Sequence, residues 1–105
     1  MNESCAPRQT ARDEPATLRT GLDAGGGFAE AMAGARRLAA ERLEDPMLLS
    51  WYDRDRDFES PQHASECGSP GAEPGYRVYA RHRGARLEVD VEDGRFVFLF
   101  ADLAA

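Results

Sequence analysis

The segment "RLEVDVEDGRFVFLF", residues 86–100, constrains the fold of this chain more than any other. Its pattern alternates on both sides of Asp93-Gly94, and Asp-Gly between two such runs signals a type I′ hairpin with a two-residue loop. That loop pairs Glu92 with Arg95, Val91 with Phe96, Val89 with Phe98 and Leu87 with Phe100. Leu87, Val89, Val91, Phe96, Phe98 and Phe100 then share one face, with Glu88, Asp90, Val97 and Leu99 on the other. A slip of one residue would turn three phenylalanines to the wrong side, so the register is strongly specified. A cross-strand ion pair between Glu92 and Arg95 is expected beside the turn.

The remaining elements are read from periodicity. Leu18, Thr20 and Leu22 alternate with Arg19, Gly21 and Asp23, which predicts a short strand weakened by Gly21. "GGG" at 25–27 breaks the chain before a helix expected from Phe28 to Glu44, where Phe28, Ala31, Met32, Ala35, Leu38, Ala39 and Leu43 form one apolar stripe. Glu30, Arg37, Glu41 and Glu44 lie opposite, with Arg37 and Glu41 spaced for an ion pair. Asp45-Pro46 is expected to end this helix. "MLLSWYD", 47–53, reads as a central strand, and strand-helix-strand predicts a right-handed β-α-β crossover.

The alternating charges from Asp53 to Asp57 are expected to carry the chain into solvent. An irregular segment rich in proline and glycine occupies 60–75. "GYRVYARHRG" follows as a short helix with Gly84 as its C′ residue. The predicted order is β-α-β-loop-α-β-β. It describes an α+β, two-layer fold with a mixed sheet of about four strands and helices on one face. Residues 1–16 are polar, carry two prolines and are expected to be a disordered tail; 17–105 are expected to form a single α+β domain.

Charge and cysteine content narrow the function classes. The net charge is −6 and all 13 basic residues are arginine, so the overall field repels nucleic acid and anionic membrane surfaces. Two cysteines, Cys5 and Cys67, do not make a disulfide framework. No segment reaches the length of an apolar membrane span, and a cytoplasmic protein with reduced thiols is expected.

Three stretches could carry chemistry. In "ESPQHASEC", residues 59–67, Ser60-Pro61 has the form of an N-cap followed by proline at N1. A helical turn there would place His63 and Cys67, at i and i+4, on the same side. Imidazole and thiolate are metal ligands, and Glu59, Glu66, Asp57 or His82 could complete a set for a transition metal such as zinc or iron. The same pair could hold Cys67 as a thiolate nucleophile, but no oxyanion hole or orienting group is evident. The competing reading, a solvated loop with Cys67 packed as a small apolar residue, leads because one H-x₃-C lacks a second ligand module. The second stretch, "GGG", lacks the wider spacing of a phosphate-binding loop and reads as a turn.

The third stretch is "YRVYARHRGAR", 76–86, where Arg77, Arg81 and Arg83 with Tyr76 and Tyr79 could bind an anion. Its competing readings are a helix whose arginines are solvated, or arginines paired with the acidic run Asp53–Glu59.

"DPMLLSWYDR", "ESPQHASEC" and "PGYRVYARHRGARLEVDVEDGRFVFLF" together resemble a small family of uncharacterised proteins of about this length from anaerobic bacteria and archaea, including sulfate reducers. The resemblance covers roughly residues 18–100 and implies no assigned activity. Members of that family often carry a second cysteine or a histidine just after the position of Cys67, where this chain has Gly68, Ser69, Pro70 and Gly71. That departure counts against a paired-cysteine metal or redox role. The resulting expectation is a non-catalytic module that binds a protein partner, a second copy of itself or a small ligand, since a core this small leaves little room for a buried pocket. The metal- or thiol-dependent reading at His63, Cys67, Glu59 and Glu66 is the alternative, with anion binding by Arg77, Arg81 and Arg83 behind it. Membrane association is not expected, and nucleic acid is disfavoured as a partner.

Overall fold

In the computed structural model, residues 15–22, 25–61 and 74–104 are described. They form β1 (Ala16–Thr20), α1 (Phe28–Arg42), β2 (Pro46–Asp53), β3 (Phe58–Ser60), α2 (Gly75–His82), β4 (Leu87–Val91) and β5 (Phe96–Asp102). The fold is α+β with one mixed sheet of five strands in the order β1-β4-β5-β2-β3. The β4–β5 hairpin has the expected register, Leu87 opposite Phe100, Val89 opposite Phe98 and Val91 opposite Phe96. Asp93 and Gly94 have φ of 56° and 88°, as a type I′ turn requires, and Arg95 N–H donates to the Glu92 carbonyl.

β1 runs parallel to β4, while β2 runs antiparallel to β5. The strands of the expected β-α-β unit are therefore not neighbours, because the hairpin inserts between them. The reason lies in β5. "FVFLFA" is apolar at every position, and such a strand is stable only when covered on both faces and flanked on both edges. All six residues are buried.

Coverage of both faces corrects the expected two-layer arrangement. Ala31, Ala35 and Ala39 of α1 pack on Leu87, Val89, Val91, Phe96, Phe98 and Phe100. Alanine at this i, i+4 spacing brings the helix axis close to the sheet. Tyr76 and Ala80 of α2 pack with Ala85, Val97 and Leu99 on the opposite face. The helices thus lie on both faces, and the sheet forms the middle layer. Each fully buried phenylalanine contributes about 1.5–3 kcal/mol.

Two local features let β2 serve both layers. A register shift at Leu49 lets Leu48 and Trp51 join the α1 layer while Leu49 and Tyr52 join the α2 layer. On the α2 side, buried Ser50 donates from Oγ to the Tyr76 carbonyl at 2.7 Å, and the Tyr52 and Tyr76 rings stack at 5.3 Å.

Helix ends differ in how far local sequence sets them. α2 closes with a Schellman motif: Gly84 N–H donates to the Arg81 carbonyl and Ala85 N–H to the Ala80 carbonyl, with Gly84 at φ 85°. α1 stops at Arg42, short of Glu44, because the Asp102 carboxylate accepts the Glu44 and Asp45 N–H groups at 3.2 and 3.0 Å. Among the described residues no helix is long and apolar enough to cross a membrane.

Candidate functional site at the carboxyl ends of the parallel strands

β1, β4 and β2 run in one direction and finish at Thr20, Val91 and Asp53, at the same end of the sheet. Three connections meet there: the loop before α1, the β2–β3 turn and the hairpin turn. In open sheets with parallel strands, ligands bind at this end, where loops rather than ladder bonds present the backbone.

Glu92 fastens the hairpin turn to β1. Its backbone, at φ 57°, donates N–H to the Thr20 carbonyl at 2.8 Å, and its Oε2 accepts Leu22 N–H at 2.7 Å. A Cβ at Gly21 would lie 3.0 Å from that oxygen, so a larger residue would need the Glu92 carboxylate to shift away from Leu22 N–H. The expected Glu92–Arg95 ion pair does not form, since both side chains are engaged elsewhere. Arg95 makes two contacts to Asp55 Oδ2, from Nε at 2.8 Å and Nη2 at 2.7 Å, and donates to the Gly26 carbonyl at 3.4 Å. One guanidinium thereby ties all three connections together. The hydrogen bond from Arg95 holds the Asp55 carboxyl below its ordinary range.

Between β1 and α1 this end opens into a cleft of about 420 Å³. Leu22, Ala31, Ala35, Leu38 and Val91 give it apolar walls, and Gly21, Gly26 and Gly34 widen it. Glu30 and Arg37 line it as charged residues. Glu30 is committed to the helix, accepting Gly27 N–H at 2.9 Å, and that bond lowers its pKa. Arg37 does not make the expected pair with Glu41; no ion pair engages it among the described residues. The cleft is open to solvent and lies beside the core, so it does not draw on the little room for a buried pocket that a core this small leaves. Its sequence signal was Gly34, a glycine inside a helical stripe, where close approach or open space is the usual cause.

Of the residues singled out for metal binding, His63, Glu66 and Cys67 lie outside the described residues. Glu59 is on β3 opposite Tyr52, half-buried, and burial raises its pKa, with the Asp57 charge adding to the effect. Ser60, expected as an N-cap, is the last residue of β3. Among the described residues no three of His, Cys, Asp and Glu converge as a metal site would require.

The arginines of α2 are distributed differently. Arg77 Nη2 pairs with Glu88 Oε2 at 2.8 Å. Arg83 lies over the Tyr79 ring at 3.7 Å and donates to the Tyr79 carbonyl at 3.4 Å. Arg81, half-buried, sits one turn after Arg77. The acidic run Asp53–Glu59 pairs with Arg56 and Arg95 instead, because α2 lies over Glu88 and the run projects from the far end of β2. Asp53, expected at the solvent end of the strand, is 2% exposed.

A family model described as a domain of unknown function (DUF5619) matches residues 20–100. The solved crystal structure of the protein AF1514 from Archeoglobus fulgidus is similar over 85% of this chain and 95% of its own, with 27% identity and a TM-score of 0.69. A comparison with curated proteins gives no match. The expected resemblance to a small family without an assigned activity thus holds over most of the chain.

Proposed function

The chain belongs to the DUF5619 family, a domain of unknown function, and from that premise we propose that it is a non-catalytic binding module for a small amphipathic ligand. The ligand class is an apolar body bearing one anionic group, seated between β1 and α1. The observation that carries this reading is the cleft of about 420 Å³. That volume falls in the range of small-molecule sites, roughly 300–1,000 Å³, whose walls are mostly apolar with a few polar groups fixing orientation. Leu22, Leu38 and Val91 supply the apolar wall, and Arg37 supplies the charge.

Octanoate is a suitable probe, followed by amide chemical shifts in wild type and in Gly34→Leu. A Cβ at Gly34 would meet only Arg37 Nη2, at 3.7 Å, so a larger side chain fills the cleft without displacing the core. Leucine also favours the helix over glycine by roughly 0.8 kcal/mol. Saturable shifts centred on Thr20–Leu22 and Val91 are expected in wild type. They should vanish in Gly34→Leu and weaken about five-fold in Arg37→Ala, the worth of an exposed ion pair. Shifts spread evenly over the chain, or unchanged in Gly34→Leu, would overturn the proposal.

A further inference from the structure

On the β2–β3 side of α1, away from the cleft, three aromatic rings surround one cation. The Arg56 guanidinium carbon lies 5.3 Å from the Phe28 ring centre, 5.9 Å from Trp51 and 5.7 Å from Phe58. The rings support one another, Phe28 against Trp51 at 4.6 Å and Trp51 against Phe58 at 5.4 Å. Beneath the cation is a carboxylate: Arg56 Nε meets Asp53 Oδ2 at 2.6 Å, and the Asp53 side chain is 2% exposed. Aromatic faces closing on a positive charge above a carboxylate are the elements that recognise methylated and quaternary ammonium groups.

We propose that Phe28, Trp51, Phe58 and Asp53 form an organic-cation site, and that Arg56 occupies it as an internal competitor which an external methylated ammonium group displaces. The two partners differ in how firmly they are held. Asp53 is fixed in the sheet between Phe58 and Phe96, whereas Arg56 rides on the β2–β3 turn with its side chain 57% exposed. Among the described residues, the only side-chain hydrogen bond of Arg56 is the one to Asp53. Leaving the site therefore breaks one charge-assisted hydrogen bond and three ring contacts; a quaternary ammonium restores the charge and the ring contacts, while the Arg56 backbone N–H still donates to Asp53 Oδ1 at 3.3 Å. The net charge of −6 draws cations toward the molecule. An internal occupant lowers the apparent affinity by the fraction of time the site stands open, so removing it should reveal tighter binding. This site does not depend on the cleft reading, since no residue is shared.

Trp51 is the only tryptophan in the chain, so its fluorescence reports on the site alone. Tetramethylammonium chloride would be titrated against wild type, Arg56→Ala and Arg56→Met, with sodium chloride at equal ionic strength as the blank and far-UV circular dichroism to establish folding. The expected result is a saturable Trp51 response in the Arg56 variants, at least about ten-fold tighter than in wild type. Adding Phe58→Leu to Arg56→Ala should weaken it. Choline and a trimethyllysine peptide then distinguish a free small cation from a modified protein side chain as the source of the group. A folded Arg56 variant with no response beyond the sodium chloride blank would overturn the proposal, and so would equal affinity in wild type and variants. If Arg56→Ala fails to fold, Arg56→Met, which keeps the apolar stem, decides the question.

Discussion

At the scale of single residues, the charges that matter are the ones under cover. Glu88 and Asp90 are each 8% exposed, although both stand in a strand whose alternation would suit a solvated face. Their side of the hairpin was legible in the sequence; their burial was not, because it depends on partners far along the chain, Arg77 of α2 for Glu88 and Arg19 of β1 for Asp90. Each carboxylate has its own partners. Asp90 accepts Gly94 N–H and lies 3.8 Å from Arg19, and Glu88 takes Arg77. Arg77→Ala leaves a carboxylate whose side chain is 11% exposed without its cation. Removing one member of a fully buried pair costs about 3–5 kcal/mol, and because Arg77 is partly in solvent the expected loss is about 2 kcal/mol. Glu88→Gln, which keeps a neutral hydrogen bond, should cost about 1 kcal/mol, and the double variant less than the two together. Urea unfolding of the three variants checks this.

Elements divide by how much of their specification is local. The end of α2 could be read from Gly84, because a C′ residue needs only its own backbone conformation. A Cβ there would meet nothing within 4 Å, so Gly84→Ala is a test of backbone strain alone. It should destabilise by about 1–2 kcal/mol, the cost of the left-handed region for an L-residue. For a domain of this size that lowers the thermal midpoint by roughly 4–8 °C per kcal/mol, measurable by circular dichroism. β3 escaped the sequence because three residues carry no period. It forms where Asp57, at φ 51°, turns the chain back along β2. The end of α1 falls two residues before the expected Glu44, and part of what fixes it, Asp102, lies at the far end of the chain. The cleft, a space between β1 and α1 that belongs to neither, left only Gly34 as its trace in the sequence.

For the molecule as a whole, closure of the α2 layer has a consequence in alkali. Burial pushes the Tyr76 phenol from its ordinary 10.0 up to about 12, with Arg77 opposing and Glu88 adding to the shift. Between those values the unfolded chain loses this proton while the folded chain keeps it. The folded state then binds more protons, and stability falls as pH rises. Below pH 10 the contribution is constant. Burial raises the Tyr52 pKa as well, so the two act in the same sense. All 13 basic residues are arginine, which leaves no lysine to titrate in this window. Unfolding free energies measured at pH 8, 9.5 and 11 should therefore hold nearly level between the first two and fall by pH 11, less in Tyr76→Phe than in wild type.

The parallel pairing of β1 with β4 also sets when this sheet can be completed during synthesis. Among the described residues β1 has no other strand neighbour, and its exit is pinned by Leu22 to Glu92, 70 residues further along the chain. A ribosome adds about 5–20 residues per second, so the first strand waits several seconds for the last hairpin to emerge. Until then α1 has no β4–β5 surface to cover, and its alanine stripe has nothing to bury against. The nascent chain stays open until the hairpin arrives, and the hairpin, whose contacts are local, is the part able to form on arrival.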